Sequence, residues 1–189
     1  MMNSVKNILV ISAVSMLFVG IVACDYEENE DDDKHKAGFF SSLDVAPAKN
    51  ALYREECGSC HFAYQPGLLP ARSWQKMMGQ LDDHFGENAE LDEATRKVLT
   101  EYLASNAAEH SDYKRPQKIL SSLAAEQTPL RITETRYFQR KHHELPASMV
   151  QNNPRVGSFS ACAACHANAD QGSYSEHEIF IPGYGQWDD

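Results

Sequence analysis

Positive charge is scarce in this chain. Its 189 residues hold 17 Lys and Arg against 27 Asp and Glu, a formal net charge of −10. A surface of that sign repels a phosphate backbone, so nucleic-acid binding is disfavoured. Cysteine is also sparse: Cys24, Cys57, Cys60, Cys162 and Cys165 are the whole set. Bridges within Cys57–Cys60 or Cys162–Cys165 would close loops too short to staple a fold. No phosphate-binding loop and no Ser-His-Asp signature is present, and no cysteine is left over as a free nucleophile. Of six methionines, Met1, Met2 and Met16 lie at the extreme N-terminus, leaving Met77, Met78 and Met149. The apolar run at residues 8–23 is short for a membrane span, which needs about 20 apolar residues.

That run follows Lys6, and the pair reads as an export signal over residues 1–23. The signal ends in Ile21-Val22-Ala23-Cys24, which resembles the lipobox of bacterial lipoproteins. The resemblance implies lipidation of Cys24 and a periplasmic location on a membrane anchor. Asp25 resembles the inner-membrane retention signal of enteric bacteria. Removing residues 1–23 takes away one lysine and no acid, so the mature chain is one unit more acidic. The acidic block "DYEENEDDDK" repels itself and predicts a disordered tether over residues 24–42.

The remaining cysteines form two identical patterns, "CGSCH" at 57–61 and "CAACH" at 162–166. A zinc ribbon places its two pairs about 15–20 residues apart, whereas the chain from 60 to 162 separates these. A thioredoxin-like dithiol needs a strand–helix context, and the surroundings of Cys57 read as helical. Neither chemistry asks for a histidine after each pair. Covalent c-type haem does. Two thiols add to the two vinyl groups of one porphyrin, and the adjacent histidine supplies an iron ligand. Two such haems are therefore expected, held by Cys57 and Cys60 and by Cys162 and Cys165, with His61 and His166 as proximal ligands. Export is itself a requirement of this attachment.

Six further histidines are open as distal ligands: His35, in the tether, and His84, His110, His142, His143 and His177. Around the first motif a helix is predicted over 47–57, with Pro47 in its first turn. A second starts at Ala71 with Trp74, Met77, Met78 and Leu81 on one face, and Gly86 marks its end. A third is capped by Asp92 and runs to about Asn106 with Val98, Leu99, Tyr102 and Leu103 as its stripe. This order resembles the class I cytochrome c fold. There the sixth ligand, usually Met, precedes the closing helix. The matching segment "DDHFGENAELD" holds no Met but holds His84, which is assigned to the iron on His61, with Met77 and Met78 as outside candidates. The same resemblance implies that a carbonyl of "QPGLLP" orients His61 through its ring nitrogen.

The second site is less determined. Residues 107–132 read as a polar, partly helical connector. Thr133 or Thr135 starts a short helix that Pro146 ends, and Phe138, His142 and Leu145 share one face of it. His142 is the favoured ligand opposite His166, with His143 and His177 as alternatives and Met149 behind them. Asp82, Asp83 and Glu176 lie close to candidate ligands and read as a solvated face.

The strings "CGSCHFAYQPGLLPARSW", "LDDHFGENAELD", "PLRITETRYFQRKHHELP" and "GSFSACAACHANADQG" resemble the dihaem cytochrome c family. The resemblance spans roughly residues 44–183. It implies a mainly α protein: a class I cytochrome c-like haem domain at 43–110, and a less regular, partly helical haem domain at 111–189. It also implies bis-histidine haems that pass single electrons. The implied partners are a membrane b-type cytochrome on the quinol side and a monohaem oxygen-binding c-type cytochrome, the sphaeroides haem protein. A dihaem peroxidase or small-ligand reductase, in which one haem opens a coordination site, is the enzyme alternative. An electron-entry subunit of a larger periplasmic reductase would share the chemistry and differ in partner.

Overall fold

Asn50 opens the first helix. In the computed structural model, which describes residues 43–187, its side chain accepts a hydrogen bond from the Tyr53 amide, and α1 runs Ala51–Cys57. The helix therefore begins four residues later than Pro47 suggested, because a side-chain cap satisfies an orphan amide and proline has no such group to offer. The signal, Cys24, His35 and the whole of the tether lie outside the described residues.

Helix α2 spans Ala71–Met78 after Pro70. Its N-terminus has no cap of its own. The Ala71 amide donates instead to Glu109 Oε2 at 2.9 Å, and Arg72 completes the contact with an ion pair of 3.6 Å to the same carboxylate. The helix stops at Gly79 rather than near Gly86; Leu81–Asp83 form a separate 3₁₀ turn, so Leu81 reaches the core from outside the helix. Helix α3, Glu93–Ser105, is capped by Asp92, whose carboxylate accepts from the Ala94 and Thr95 amides. Leu99 and Leu103 are fully buried, whereas Val98 is 50% exposed and leaves the predicted stripe.

Helices α2 and α3 pack face to face through Trp74, Met78, Leu99 and Leu103, with Leu69 and Tyr53 completing the cluster. Each fully buried Leu contributes about 1.5–3 kcal/mol. Met77 and Met78 are spent on this packing. The Trp74 indole donates to the Pro66 carbonyl at 2.7 Å, which fixes the loop after the first cysteine motif against α2.

The segment after α3 is not a mere connector. Ala107 and Ala108 are completely buried, and the Ala108 amide donates to Leu69 O at 3.0 Å. Helix α4, Lys114–Ser121, sets Ile119 into a second apolar cluster with Val45, Leu68, Tyr137, Ala169 and Tyr174. Helix α5, Arg136–His142, is capped by Thr135, which accepts from the Phe138 amide. It ends at His142, three residues short of Leu145, and Pro146 begins a separate turn. A two-stranded antiparallel hairpin, β1 Phe180–Ile181 and β2 Gly185–Gln186, closes the described chain. Its Phe180 amide bonds the Cys165 carbonyl at 3.1 Å, so the hairpin is pinned to the second cysteine motif. The architecture is mainly α, and among the described residues no helix is long and apolar enough to cross a membrane.

Candidate haem sites

Each Cys-x-x-Cys-His run is positioned by a short helical element. Cys57 is the last residue of α1, and Gly58 follows as its cap. A Cβ on Gly58 would lie 2.2 Å from the Arg54 carbonyl oxygen, so only glycine lets the chain turn there. Beyond it Cys60 and His61 are exposed. His61 Nδ1 lies 2.8 Å from its neighbour's carbonyl, that of Phe62. The expected "QPGLLP" carbonyl is not its partner; the Pro66 carbonyl already accepts from Trp74.

His84 leaves the 3₁₀ turn Leu81–Asp83 and enters a tight reversal. Its amide donates to Glu87 O at 2.7 Å, and Asp83 Oδ1 accepts from the Gly86 amide at 3.0 Å. Phe85 sits at φ 60° inside this reversal, beneath the Arg131 guanidinium at 3.7 Å. Burial lowers the His84 pKa, and the neighbouring His61 and Arg131 lower it further.

At the second motif Cys162–Ala164 form a 3₁₀ turn, and the His166 amide closes on the Cys162 carbonyl at 2.8 Å. His142 is the final residue of α5; its Nδ1 lies 2.9 Å from the Phe138 carbonyl, and its ring stacks on Phe138 at 3.8 Å. Phe159 stands edge-on to both rings. His142, His166, Cys162 and Cys165 line one cavity with Arg115 and Phe159. Burial pushes the His166 pKa down to about 4, with His142 and Arg115 adding to the fall and Asp44 opposing it. Burial also lowers His142. His177 lines the same cavity from an exposed turn. His143 is exposed, with Nδ1 3.0 Å from the Arg140 carbonyl and Nε2 3.7 Å from Glu144. His110 is exposed at the end of a 3₁₀ turn. Asp82 and Asp83 are exposed, and Glu176 pairs with Lys141.

No disulfide joins the described cysteines. Cys57 and Cys162 are both partly buried, so each thiol's pKa is pushed up to about 11 before any bond to haem forms. Among the described residues, no three His, Cys, Asp or Glu side chains converge as a metal cluster. The two cysteine pairs therefore do not build the four-sulfur site of a zinc ribbon.

What does converge is two pairs of imidazoles. The rings of His61 and His84 stand 6.3 Å apart with planes at 28°. Those of His142 and His166 also stand 6.3 Å apart, with planes at 74°. An imidazole nitrogen binds a first-row metal at about 2 Å with its ring centre about 1 Å behind, so two imidazoles on opposite faces of one ion stand about 6 Å apart. Each pair includes the histidine that follows a Cys-x-x-Cys pair. The donor sets fit a haem at both places.

The two motifs are tied together by residues that carried no recognisable signal. Tyr64 packs on His61 at 4.8 Å and donates to Ser160 O at 2.6 Å. Gln65, fully buried, donates to Ala169 O at 2.6 Å and accepts from the Tyr174 hydroxyl at 2.7 Å. Tyr174 in turn lies 5.4 Å from the His166 ring. The one hint in the sequence was the position of Tyr64 and Gln65 directly after "CHFA".

Two haem-attachment signatures on a mainly helical scaffold define a dihaem c-type cytochrome. The chain belongs to the dihaem cytochrome c family, whose model matches residues 53–174. It is similar to the diheme cytochrome type c of Shewanella baltica OS155, with 44% identity over 74% of this chain and 98% of that one, at a TM-score of 0.62. It is similar also to a diheme cytochrome c from Rhodobacter sphaeroides, with 43% identity over 70% of this chain and all of that one, at a TM-score of 0.61. No match was found among curated proteins. Two covalently attached haems are thus the cofactors, and electron transfer is the activity of the class; proteins of this class are extracytoplasmic.

Proposed function

We propose that the protein carries single electrons through two bis-histidine haems in the periplasm. In this reading Cys57 and Cys60 hold one haem, with His61 and His84 as its axial ligands. Cys162 and Cys165 hold the other, with His166 and His142. The observation that carries the reading is the equal 6.3 Å spacing of the two imidazole pairs. Each haem, when bound, takes up and gives back one electron. The chain's part is to keep both axial positions filled, so that oxygen and peroxide find no vacant one. That requirement favours a carrier over a peroxidase. Imidazole in place of methionine also favours a low potential, since Met/His ligation raises it.

His142, His143 and His177 all line the cavity, and His142 is preferred because its ring alone packs against Phe138 and Phe159 and stands opposite His166. His143 is solvated and turned toward Arg140 and Glu144. His177 is also exposed.

Electrons enter from a membrane b-type cytochrome and leave to a small monohaem oxygen-binding c-type cytochrome. The family resemblance supports both partners, and the net charge of −10 suits a partner with a basic docking patch. Cys24 carries the lipid, and the acidic segment behind it acts as the spacer. The decisive experiment adds carbon monoxide to the dithionite-reduced holoprotein. Unchanged low-spin spectra are expected at both haems; rapid binding by the native protein would refute closed coordination. For the anchor, Cys24→Ser should release the protein from the membrane fraction.

A further inference from the structure

Two buried side-chain atoms among the described residues lack a hydrogen-bond partner: Ser73 Oγ and Arg115 Nε. The second is the more costly, because it belongs to a charge. Arg115 is anchored on three sides. Its Nη1 donates to the Tyr137 hydroxyl at 2.9 Å, and its Nη2 to the Tyr174 carbonyl at 3.2 Å. Nη2 also pairs with Asp44 at 2.9 Å, while Asp44 Oδ2 accepts from the Tyr174 amide at 2.7 Å. Both partners of the ion pair are mostly shielded, with side chains 19% and 27% exposed. Arg115 also lines the cavity that holds Cys162, Cys165, His142 and His166.

A c-type haem brings two carboxylates into such a cavity, and the iron centre loses one unit of positive charge on reduction. A guanidinium lining the cavity complements the charge of the first, and a cation held in place acts on the second. Resting on the assignment of His142 and His166 to the second iron, we propose that Arg115 is a positioning residue of that haem. Its guanidinium borders the cavity that the haem fills, and its charge, offset by Asp44, raises the midpoint potential. The direction follows from Coulomb's law: a nearby cation favours the less positive, reduced centre, and a nearby anion the oxidised one.

The test is a redox titration of the holoprotein, followed by optical and paramagnetic spectra so that the two haems are resolved. In Arg115→Gln the second haem should become about tenfold harder to reduce, a fall of about 59 mV for one electron. The first haem should keep its midpoint. Asp44→Asn, which keeps an acceptor for the Tyr174 amide, should move the second haem the opposite way. Arg115→Lys keeps the charge and should recover most of the midpoint. A merely structural role would move both variants in one direction. Unmoved midpoints, equal shifts at both haems, or shifts of the same sign in Asp44→Asn and Arg115→Gln overturn the proposal. If Arg115→Gln does not fold, the sign in Asp44→Asn decides. A low-spin second haem with an unmoved midpoint sinks the role of Arg115 alone, whereas a high-spin native haem sinks the ligand assignment.

Discussion

The imidazole planes of His142 and His166 cross at 74°. Those of His61 and His84 meet at only 28°, although both pairs have the same spacing. Parallel imidazoles act on the same iron d orbital and split it from its partner. Crossed imidazoles act on one each and leave the two nearly degenerate. The oxidised holoprotein should therefore give two distinct low-spin paramagnetic signals: a three-line rhombic spectrum from the first haem and a single strongly anisotropic feature from the second. Two identical rhombic spectra would show that the rings are not held at the angles described.

The second axial ligand separates three histidines that the sequence left together. His142→Met should convert one haem to Met/His ligation and raise its potential. His143→Met and His177→Met should leave both haems spectrally unchanged, because His142 is the histidine whose ring stands opposite His166. Optical spectra of the three purified variants suffice. A change at His143 or His177 with none at His142 would reassign the ligand.

Local signals in the sequence translated well into structure, and distant ones did not. Asp92 and Thr135 were readable as helix starts because a short side chain bonding an amide two or three residues on is encoded nearby. The apposition of Phe138 and His142 followed from helical spacing in the same way. The start of α1 was misplaced because Pro47 and Asn50 both suit a helix N-terminus, and the bond to the Tyr53 amide decides between them. The end of α2 was misplaced because Gly79 and Gly86 are equally good stops. Residues 107–132 looked like a connector since their buried members, such as Ala107, Ala108 and Ile119, are few and irregularly spaced. Gln65, Arg115 and Tyr174 join segments 59 or more residues apart, and no periodicity announces such contacts.

Asp92 gives α3 an acid-sensitive cap. Its carboxyl is held below the usual 3.8 by the Thr95 hydroxyl and by the Thr95 and Ala94 amides. The folded state thus binds the proton less readily than the unfolded one. The stabilisation is fully present above pH 3.8 and is lost as pH falls through the lower folded value. Asp92→Asn retains a good cap without the titration. Its melting temperature near neutral pH should stay close to that of the wild type, and its decline as pH falls below 3.8 should be shallower. Asp92→Ala should lower the melting temperature at every pH. Circular dichroism melts across that range make the comparison, and equal acid slopes in wild type and Asp92→Asn would exclude the effect.

The seam between the two haem motifs can be weakened at two points with different expected costs. Tyr174→Phe removes the hydroxyl that serves Gln65 Oε1 and leaves that buried oxygen short of a donor, which costs about 1–3 kcal/mol. Gly172 has φ 87°, and a Cβ there would stand 2.2 Å from the Val45 carbonyl oxygen. Its own carbonyl accepts from the Asp44 and Val45 amides at 2.9 and 3.2 Å. The left-handed conformation alone costs a non-glycine residue about 1–2 kcal/mol, and the backbone clash adds to it because neither segment can yield without breaking those two bonds. Gly157 is the matched control: its φ is 76°, but a Cβ there meets nothing within 4 Å. Gly157→Ala should therefore show the conformational cost alone, and Gly172→Ala a clearly larger loss in denaturant unfolding of the holoprotein. Gly172→Ala should also shift the spectra of the second haem, since Asp44 and Tyr174 both adjoin this contact. Equal losses for the two glycine variants would mean that the N-terminal segment at Val45 is not held against the second haem motif.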